Sequence, residues 1–210
     1  MSNDTPITTR LLFVRHGQTN TTVDDAFCGS TEVPLTPIGH RQAQALAERL
    51  RHVHVDALYC SPQQRALETA TPIASVLGLE MHKRDELREM DFGVWENHPP
   101  GELLKEYPQL IQGWNKGLWM GNPPGGETRQ AVIARVVPCI IELLSAHAGK
   151  TLLVVSHRTT LRLLIGHMLD MALSSSRRME VSPASLTELH VIEDQVRLIF
   201  FNDTSHLTTL

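Results

Sequence analysis

The chain has 210 residues, of which 41% are hydrophobic and 20% charged, and its formal net charge at pH 7 is −4. This composition is typical of a folded globular protein and excludes an intrinsically disordered one. The negative charge argues against nucleic acid as a partner, because nucleic-acid binding needs a broad basic surface. No apolar run approaches the roughly 20 residues that span a bilayer, and residues 1–6 show no leader-peptide pattern. We therefore expect a cytoplasmic protein with no membrane partner.

The cysteines and histidines show no metal-binding spacing. Cys28, Cys60 and Cys139 are odd in number and widely separated, which argues against a disulfide framework and against a C-x-x-C motif. The eleven histidines include no H-E-x-x-H pair. The sequence therefore predicts no metal site and no cofactor.

Hydrophobic periodicity and helix-capping residues predict alternating strands and helices. The predicted elements are a strand over 11–14, a helix from 36 to about 50, a strand over 56–60, a helix from 61 to 77, a short edge strand over 80–82, a helix over 128–148, a strand over 151–155, a helix over 159–169 and a β-hairpin of strands over 186–192 and 196–201. Ser61 is expected to cap the second helix, with Pro62 at its first position. Repeated strand–helix units imply a mainly parallel sheet with helices on both faces. The predicted fold is therefore α/β, a three-layer α/β/α sandwich in one domain over residues 1–210.

Residues 97–125 interrupt this alternation. The segment is rich in proline and glycine and carries Tyr107, Trp114 and Trp119. It predicts a small insertion of short helices and loops over the functional edge of the sheet. We expect its aromatic side chains to form the core of the insertion rather than to line a ligand cleft.

Cationic and imidazole side chains follow three of the predicted strands. Arg15 and His16 come directly after the first strand, Arg65 comes shortly after the second, and His157 and Arg158 follow the strand over 151–155. In a parallel sheet the carboxyl ends of the strands meet at one edge, where ligands bind. The sequence therefore predicts a cluster of two histidines and several arginines at this edge.

Such a cluster suits phosphoryl transfer without a metal ion. Arginine pairs bidentately with phosphate oxygens and neutralises their charge, which makes Arg15 and Arg65 the candidate phosphate ligands. A neutral imidazole is a nucleophile at phosphorus, and nearby arginines keep it unprotonated, so His16 is the candidate nucleophile. His157 is expected to bind phosphate as a donor whose charge rises when phosphate enters.

Six blocks of the sequence resemble motifs of the histidine phosphatase superfamily, the group that contains phosphoglycerate mutases and many small phosphatases. The blocks are LLFVRHGQT at 11–19, PLTPIG at 34–39, SPQQRA at 61–66 with TA at 69–70, LREMDFGVWE at 87–96, GGET at 125–128 and VVSH at 154–157. One Arg-His-Gly tripeptide would be a weak signal, whereas six blocks in order are a strong one. The chain thus resembles the small-phosphatase branch of this superfamily over nearly its whole length.

The resemblance implies a role for five residues. His16 would become phosphorylated, and Arg15, Arg65 and His157 would hold the phosphoryl group. Glu89 would be the general acid that donates a proton to the leaving group. These five are the candidate catalytic residues.

Residue chemistry alone leaves the general acid open. Glu89 is one of 23 acidic residues, and Glu86, Asp91 and Glu96 stand close to it in sequence. Only the resemblance prefers Glu89 over these three.

Four more residues are expected to contact substrate at the mouth of the site, namely Gln18, Asn20, Thr22 and Arg158. The family pattern often has asparagine where this sequence has Thr22, and this sequence has its asparagine earlier, at Asn20. The pattern usually has glycine where this sequence has Arg158. Both departures concern the choice of substrate rather than the catalytic step.

The leading hypothesis is a metal-independent phosphatase that hydrolyses a phosphomonoester of a small metabolite through a phosphohistidine intermediate. A phosphoglycerate mutase-type phosphotransferase is the alternative. However, mutases of the family resemble longer chains with more sequence between the acid and the second histidine, and here only 67 residues lie between Glu89 and His157. A non-catalytic protein that binds a phosphorylated ligand is the third hypothesis. Phosphoserine, sugar phosphates, phosphoglycerate derivatives and ribazole phosphate stay open as substrates, as do monomer and homodimer as assembly states.

Overall fold

A six-stranded sheet forms the centre of the computed structural model, which describes residues 7–118 and 121–208. The strands are β1 (Thr8–Arg15), β2 (Ala57–Cys60), β3 (Met81–Lys83), β4 (Thr151–Ser156), β5 (Leu186–Ile192) and β6 (Gln195–Asp203). Their order across the sheet is β3-β2-β4-β1-β5-β6. Two sequence interpretations lie outside the described residues, namely the lack of a leader-peptide pattern in residues 1–6 and the core role of Trp119.

The sheet is mainly parallel, which confirms the prediction. β4 lies between β1 and β2 and pairs parallel with both, and β3 pairs parallel with β2 as an edge strand. β5 and β6 form the predicted hairpin and extend the sheet antiparallel from β1. Because β1 and β4 run parallel in register, Arg15 lies opposite Ser156 at their carboxyl ends.

Helices cover both faces of the sheet. They are α1 (Asn20–Val23), α2 (Pro37–Leu50), α3 (Gln64–Leu77), α4 (Pro100–Glu106), α5 (Pro108–Asn115), α6 (Arg129–Ala146) and α7 (Arg158–Met168). On one face, Leu12 and Leu153 of the sheet pack with α2 and α3. On the other face, Phe13 and Val154 pack with α6 and α7. Strand side chains alternate between the two faces, so the apolar runs of β1 and β4 serve both cores of the predicted three-layer α/β/α sandwich.

The predicted insertion over 97–125 contains α4 and α5. Leu103 of α4 and Trp114 of α5 pack with Phe27 and Trp95 in a third buried cluster, and Tyr107 packs against it. Trp114 is 4% exposed, so it contributes to the core of this region, as expected. Trp114 also lines a cleft that is described below, which departs from the expectation of a core role alone.

The predicted start of the second helix is wrong. α3 begins at Gln64, with Gln63 rather than Ser61 as its N-cap. Ser61 directly follows β2 and stays bound to the neighbouring strand β4, because its N–H donates to the carbonyl of Val155 at 3.0 Å. Its hydroxyl lies 2.8 Å from Nε2 of His157. Ser61 is thus held by the neighbouring strand and by the site, and the helix starts after this turn.

Candidate active site

The carboxyl ends of β1, β4 and β2 bring the predicted cluster together. Arg15 is the last residue of β1, and the N–H of His16 donates to the carbonyl of Ser156 at 3.0 Å. His157 follows Ser156 at the end of β4. Arg65 lies in the first turn of α3, just after β2. Since β4 lies between β1 and β2, the segments that follow these strands are spatial neighbours.

One backbone hydrogen bond orients the ring of His16. Its Nδ1 lies 2.8 Å from the carbonyl oxygen of Gly17. Because a carbonyl only accepts, Nδ1 carries the hydrogen and Nε2 keeps its lone pair. Burial, and after it the charges of Arg15 and Arg65, holds the pKa of His16 well below its ordinary value of 6.5. The imidazole is therefore neutral near pH 7, with Nε2 as a potential nucleophile.

Gly17 allows the His16 loop to pass close to the start of α2. A Cβ atom at Gly17 would lie 2.7 Å from the carbonyl oxygen of Gly39. The N–H of Gly17 donates to Oγ1 of Thr69 at 3.0 Å. A larger residue would separate the two backbones and move the carbonyl that orients His16.

Arg65 directs its guanidinium into the protein, where it is 1% exposed. Its terminal nitrogens donate to the carbonyls of Thr31 and Gly29, each at 2.8 Å, and its Nε donates to Nδ1 of His157 at 3.2 Å. Because Nδ1 of His157 accepts, Nε2 carries the hydrogen and donates to Oγ of Ser61. Both ring nitrogens of His157 therefore have partners within the protein.

The two histidines form a neutral pair. The ring centroids of His16 and His157 are 5.1 Å apart, with an angle of 54° between the ring planes. Burial, followed by the charge of Arg65, holds the pKa of His157 well below 6.5. A phosphate dianion placed next to the pair would favour protonation of His157.

Arg15 is the cation of the cluster with an unused donor. Its Nη1 donates to the carbonyl of Val181 at 2.6 Å, whereas its buried Nε has no hydrogen-bond partner among the described residues. Burial, and after it the charge of Arg158, lowers the pKa of Arg15 to about 9. A buried donor without a partner costs free energy, and an anion bound at this nitrogen would recover it.

Glu89 lies at the N-terminus of α7, the helix that begins directly after His157. Its Oε1 accepts hydrogen bonds from the N–H of Met90 at 2.8 Å and from the N–H and hydroxyl of Thr160 at 3.0 and 3.1 Å. Within the described part of the chain, its Oε2 accepts only from the N–H of Thr159, at 2.9 Å. The free N–H groups of a helix start stabilise a carboxylate. Oε2 is the oxygen that can still accept a further hydrogen bond or a proton.

The other acids near Glu89 in sequence have different contacts. Asp91 accepts from the N–H of Gly93 at 2.7 Å and thereby fixes a turn. The carboxylate of Glu96 accepts from the N–H groups of residues 29–31 at 2.9 to 3.2 Å and from the hydroxyl of Thr31 at 2.7 Å. Glu96 thus holds the loop whose carbonyls bind Arg65. Sequence reasoning did not assign this role, and the shared LREMDFGVWE block was its only signal.

A narrow cavity of about 30 Å³, which we call the inner cavity, opens beside His16. Its lining residues are Arg15, His16, Thr21, Thr22, Asp25, Ala26, Phe27, Cys28, Glu89, Phe92, Arg158 and Thr159. His16, Arg15 and Glu89 therefore meet at one space, which is small enough to select a compact group rather than a whole metabolite. Arg65 and His157 lie behind this wall, with 1% and 0% exposure.

The four residues expected at the mouth do not all reach the inner cavity. Thr22 and Arg158 line it, as stated above. Gln18 instead accepts a hydrogen bond from the hydroxyl of Thr36 at 2.8 Å, at the start of α2. Asn20 is the exposed first residue of α1.

A wider space of about 350 Å³, which we call the outer cleft, adjoins the inner cavity. It is lined by Asp25, Phe27, Phe92, Pro100, Trp114, Arg158, Thr159, Arg162, Arg177 and Glu180. Five of these ten residues also line the inner cavity, namely Asp25, Phe27, Phe92, Arg158 and Thr159. The two spaces are thus contiguous, and the second one carries three arginines.

Residues 7–118 and 121–208 contain neither a metal-binding cluster nor a membrane-spanning helix. No group of three or more histidine, cysteine, aspartate or glutamate side chains in these ranges could hold a metal ion. No helix in them is both long enough and apolar enough to cross a membrane.

A mainly parallel α/β/α sandwich with a histidine–arginine cluster at its carboxyl edge defines a class of phosphoryl-transfer proteins. The model of the histidine phosphatase superfamily (branch 1) matches residues 11–204 of the chain. The chain belongs to this superfamily, which confirms the resemblance seen in the six sequence blocks.

Several relatives have names that state an activity. Phosphoserine phosphatase 1 of Hydrogenobacter thermophilus is 30% identical over 198 residues, which cover 94% of each chain. The adenosylcobalamin/alpha-ribazole phosphatase of Salmonella typhimurium is 33% identical over 193 residues, or 92% of this chain and 96% of the relative. The solved structure of a mycobacterial glucosyl-3-phosphoglycerate phosphatase has a TM-score of 0.86 at 26% identity and covers 94% of this chain and 100% of that one.

The chain is also similar to a longer protein. A bifunctional protein of Mycobacterium tuberculosis is 35% identical over 203 residues, which are 95% of this chain and 55% of the relative. The chain thus spans about half the length of this relative.

Proposed function

We propose that the protein hydrolyses phosphomonoesters of small metabolites, with His16 as the nucleophile. The observation that carries this proposal is the hydrogen bond from Nδ1 of His16 to Gly17, which leaves Nε2 unprotonated beside Arg15 and Glu89. Full-length relatives named as phosphatases support the same reaction class.

The proposed reaction has two steps. Nε2 of His16 attacks phosphorus and the bond from phosphorus to the ester oxygen breaks. Glu89, which enters the step protonated at Oε2, donates this proton to the leaving alkoxide and becomes a carboxylate. A water molecule then attacks the phosphohistidine and gives its proton to Glu89, which releases inorganic phosphate and free His16. Arg15 binds the phosphoryl oxygens through its spare donor, and Arg65 adds positive charge from behind the cavity. His157 adds a further positive charge once the bound dianion has favoured its protonation.

Hydrolysis is favoured over the mutase reaction by chain length. Only residues 90–156 separate Glu89 from His157, and the insertion in this interval forms α4 and α5 around a buried aromatic cluster. Release of inorganic phosphate without isomerised product is the expected outcome for a hydrolase. Transfer of the group to another hydroxyl of the substrate would support the mutase instead.

The first experiment traps the intermediate on His16. Wild-type protein treated with a labile phosphodonor should form a phosphoryl adduct that is stable in alkali and lost in acid. His16→Ala should form no adduct and should not turn over p-nitrophenyl phosphate, while its circular dichroism and thermal midpoint stay close to those of the wild type. His54→Ala, at an exposed histidine, is the matched control and should keep full activity.

Substantial turnover by His16→Ala would exclude His16 as nucleophile. Tight binding of phosphate by the wild type without any turnover would support the non-catalytic hypothesis. We also propose a cytoplasmic location and either a monomer or a homodimer, which light scattering distinguishes.

A further inference from the structure

The outer cleft concentrates positive charge that has only weak partners. Arg158 pairs with Asp25 and Arg162 pairs with Glu180, each at the long distance of 3.4 Å. The side chains of these two acids are 72% and 69% exposed. Exposed ion pairs contribute little stability, so a better-placed anion can displace both acids.

Two of the arginines are instead held by further contacts, Arg162 by burial and Arg177 by an aromatic ring. The side chain of Arg162 is 13% exposed, and its buried Nε has no hydrogen-bond partner among the described residues. The guanidinium of Arg177 lies over the ring of Trp114, 4.9 Å from its centroid, and donates to Asn115 at 3.2 Å. These contacts place both groups before a ligand binds, so less side-chain entropy is lost on binding.

The electrostatic state of the cleft supports this view. Burial and the charge of Arg158 lower the pKa of Arg162, and burial followed by the charge of Arg162 lowers the pKa of Arg177 to about 10. Both guanidinium groups stay charged near pH 7, next to one another. Their mutual repulsion is relieved when an anion enters between them.

We propose that the outer cleft binds a second anionic group, a carboxylate or a phosphate, on the alcohol part of the substrate. This inference rests on the proposed function, since it places the reacting phosphoryl group in the inner cavity. Phe92, Arg158 and Thr159 line both spaces, so the leaving group of a bound ester extends into the outer cleft. The preferred substrates are then phosphorylated hydroxy acids or bisphosphates rather than monoesters of neutral alcohols.

Matched substrate pairs test the proposal. 3-Phosphoglycerate is compared with glycerol 3-phosphate for the carboxylate, and glucose 1,6-bisphosphate with glucose 6-phosphate for the second phosphate. Charge-assisted hydrogen bonds correspond to about tenfold or more in kcat/KM, so the anionic member of at least one pair should exceed its partner by this factor. The pair that shows the preference identifies the anion.

Variants then assign the preference to the cleft. Arg162→Gln and Arg177→Gln should each bring the kcat/KM ratio of that pair towards one. Arg178→Gln is the matched control, because Arg178 is exposed, lies next to Arg177 and is not part of the cleft lining, and it should keep the wild-type ratio. Thermal unfolding of each variant establishes that it is folded. If one of the two arginine variants does not fold, the other alone tests the proposal.

Two results would overturn the inference, namely a ratio near one for both pairs in the wild type, or an unchanged ratio in the folded arginine variants. Turnover of p-nitrophenyl phosphate, which has no second anion, separates this failure from a failure of the proposed function. Turnover without any preference for anionic esters refutes the outer cleft alone. A wild-type protein that hydrolyses none of these esters refutes both proposals.

Discussion

At the scale of single residues, His16 depends on two separate features. The carbonyl of Gly17 selects the tautomer, and burial with the charges of Arg15 and Arg65 selects the neutral state. Neither feature alone would give an available Nε2 near pH 7. The same burial that keeps His16 neutral also makes the stability of the fold depend on pH.

We predict that the free energy of unfolding falls faster with acid in the wild type than in His16→Asn. The pKa of His16 is lower in the folded chain than its ordinary value of 6.5, so the unfolded chain binds more protons between these two values. The stability contribution is therefore complete above pH 6.5 and is lost as the pH falls towards the folded pKa. Urea unfolding from pH 8 to 5.5 should show an extra slope of up to about 1.4 kcal/mol per pH unit in the wild type.

Asparagine does not titrate in this range, so the pH dependence of stability in His16→Asn comes from the groups other than His16. Parallel stability curves for the two proteins below pH 6.5 would show that the folded pKa of His16 is not lowered.

Glu89 gives a second prediction at this scale. Glu89→Gln should lower kcat for glycerol 3-phosphate by about 10²- to 10⁴-fold, because its leaving alkoxide needs a proton. It should lower kcat for p-nitrophenyl phosphate much less, because that leaving group is stable without one. Steady-state rates with both substrates measure the difference.

Glu86→Gln is the control for Glu89, as a nearby acid outside the lining of the inner cavity. Equal losses on both substrates in Glu89→Gln would mean that Glu89 positions the start of α7 rather than donating a proton. A selective loss in Glu86→Gln would transfer the role to Glu86.

At the scale of elements, the position of Arg65 depends on the loop over residues 28–31. The carbonyls of Gly29 and Thr31 accept from its guanidinium, and the N–H groups of the same loop donate to Glu96. A Cβ atom at Gly29 would lie 2.0 Å from the carbonyl of Met90, so the loop packs tightly against the segment that carries Glu89. Glu96 therefore couples Arg65 to the Glu89 segment.

We predict that Glu96→Gln lowers kcat/KM for p-nitrophenyl phosphate by about 10- to 100-fold, since small displacements of a positioned group have effects of this size. An amide offers one acceptor oxygen in place of two, so some N–H groups of residues 29–31 lose their partner. The loss should fall mainly on kcat, as expected for a misplaced Arg65. Glu48→Gln, at an exposed glutamate of α2 paired with Arg51, should leave kinetics unchanged, and similar kinetics in both variants would contradict the coupling.

At the scale of the whole molecule, the sheet order places three polar strand ends side by side. With β4 between β1 and β2, the positive charge of Arg15 and Arg65 converges on one edge, where a metal ion stands in many other phosphoryl-transfer sites. We predict that EDTA leaves the activity on p-nitrophenyl phosphate unchanged. Initial rates before and after dialysis against EDTA measure this, and a loss that Mg²⁺ or Zn²⁺ restores would show that the arginines do not suffice.

The sequence by itself determined the layer architecture and predicted the candidate reacting groups. Buried parallel strands have continuous apolar sequences, and polar residues at their carboxyl ends mark the edge where ligands bind. For this reason β1, β4, His16 and Arg65 could all be predicted from local sequence patterns. The helix start at Gln64 was not, because Ser61 forms its hydrogen bonds with a distant strand and with His157.

Only the tertiary structure decided which neighbouring side chains share a space. Glu89 and Glu96 belong to one sequence block, yet one lines the inner cavity and the other holds a loop. Arg158, Arg162 and Arg177 meet at the outer cleft because α7 and the segment that follows it pack against Trp114 of α5. Local sequence fixes residue chemistry and periodicity, whereas contacts between distant segments depend on how the helices pack on the sheet.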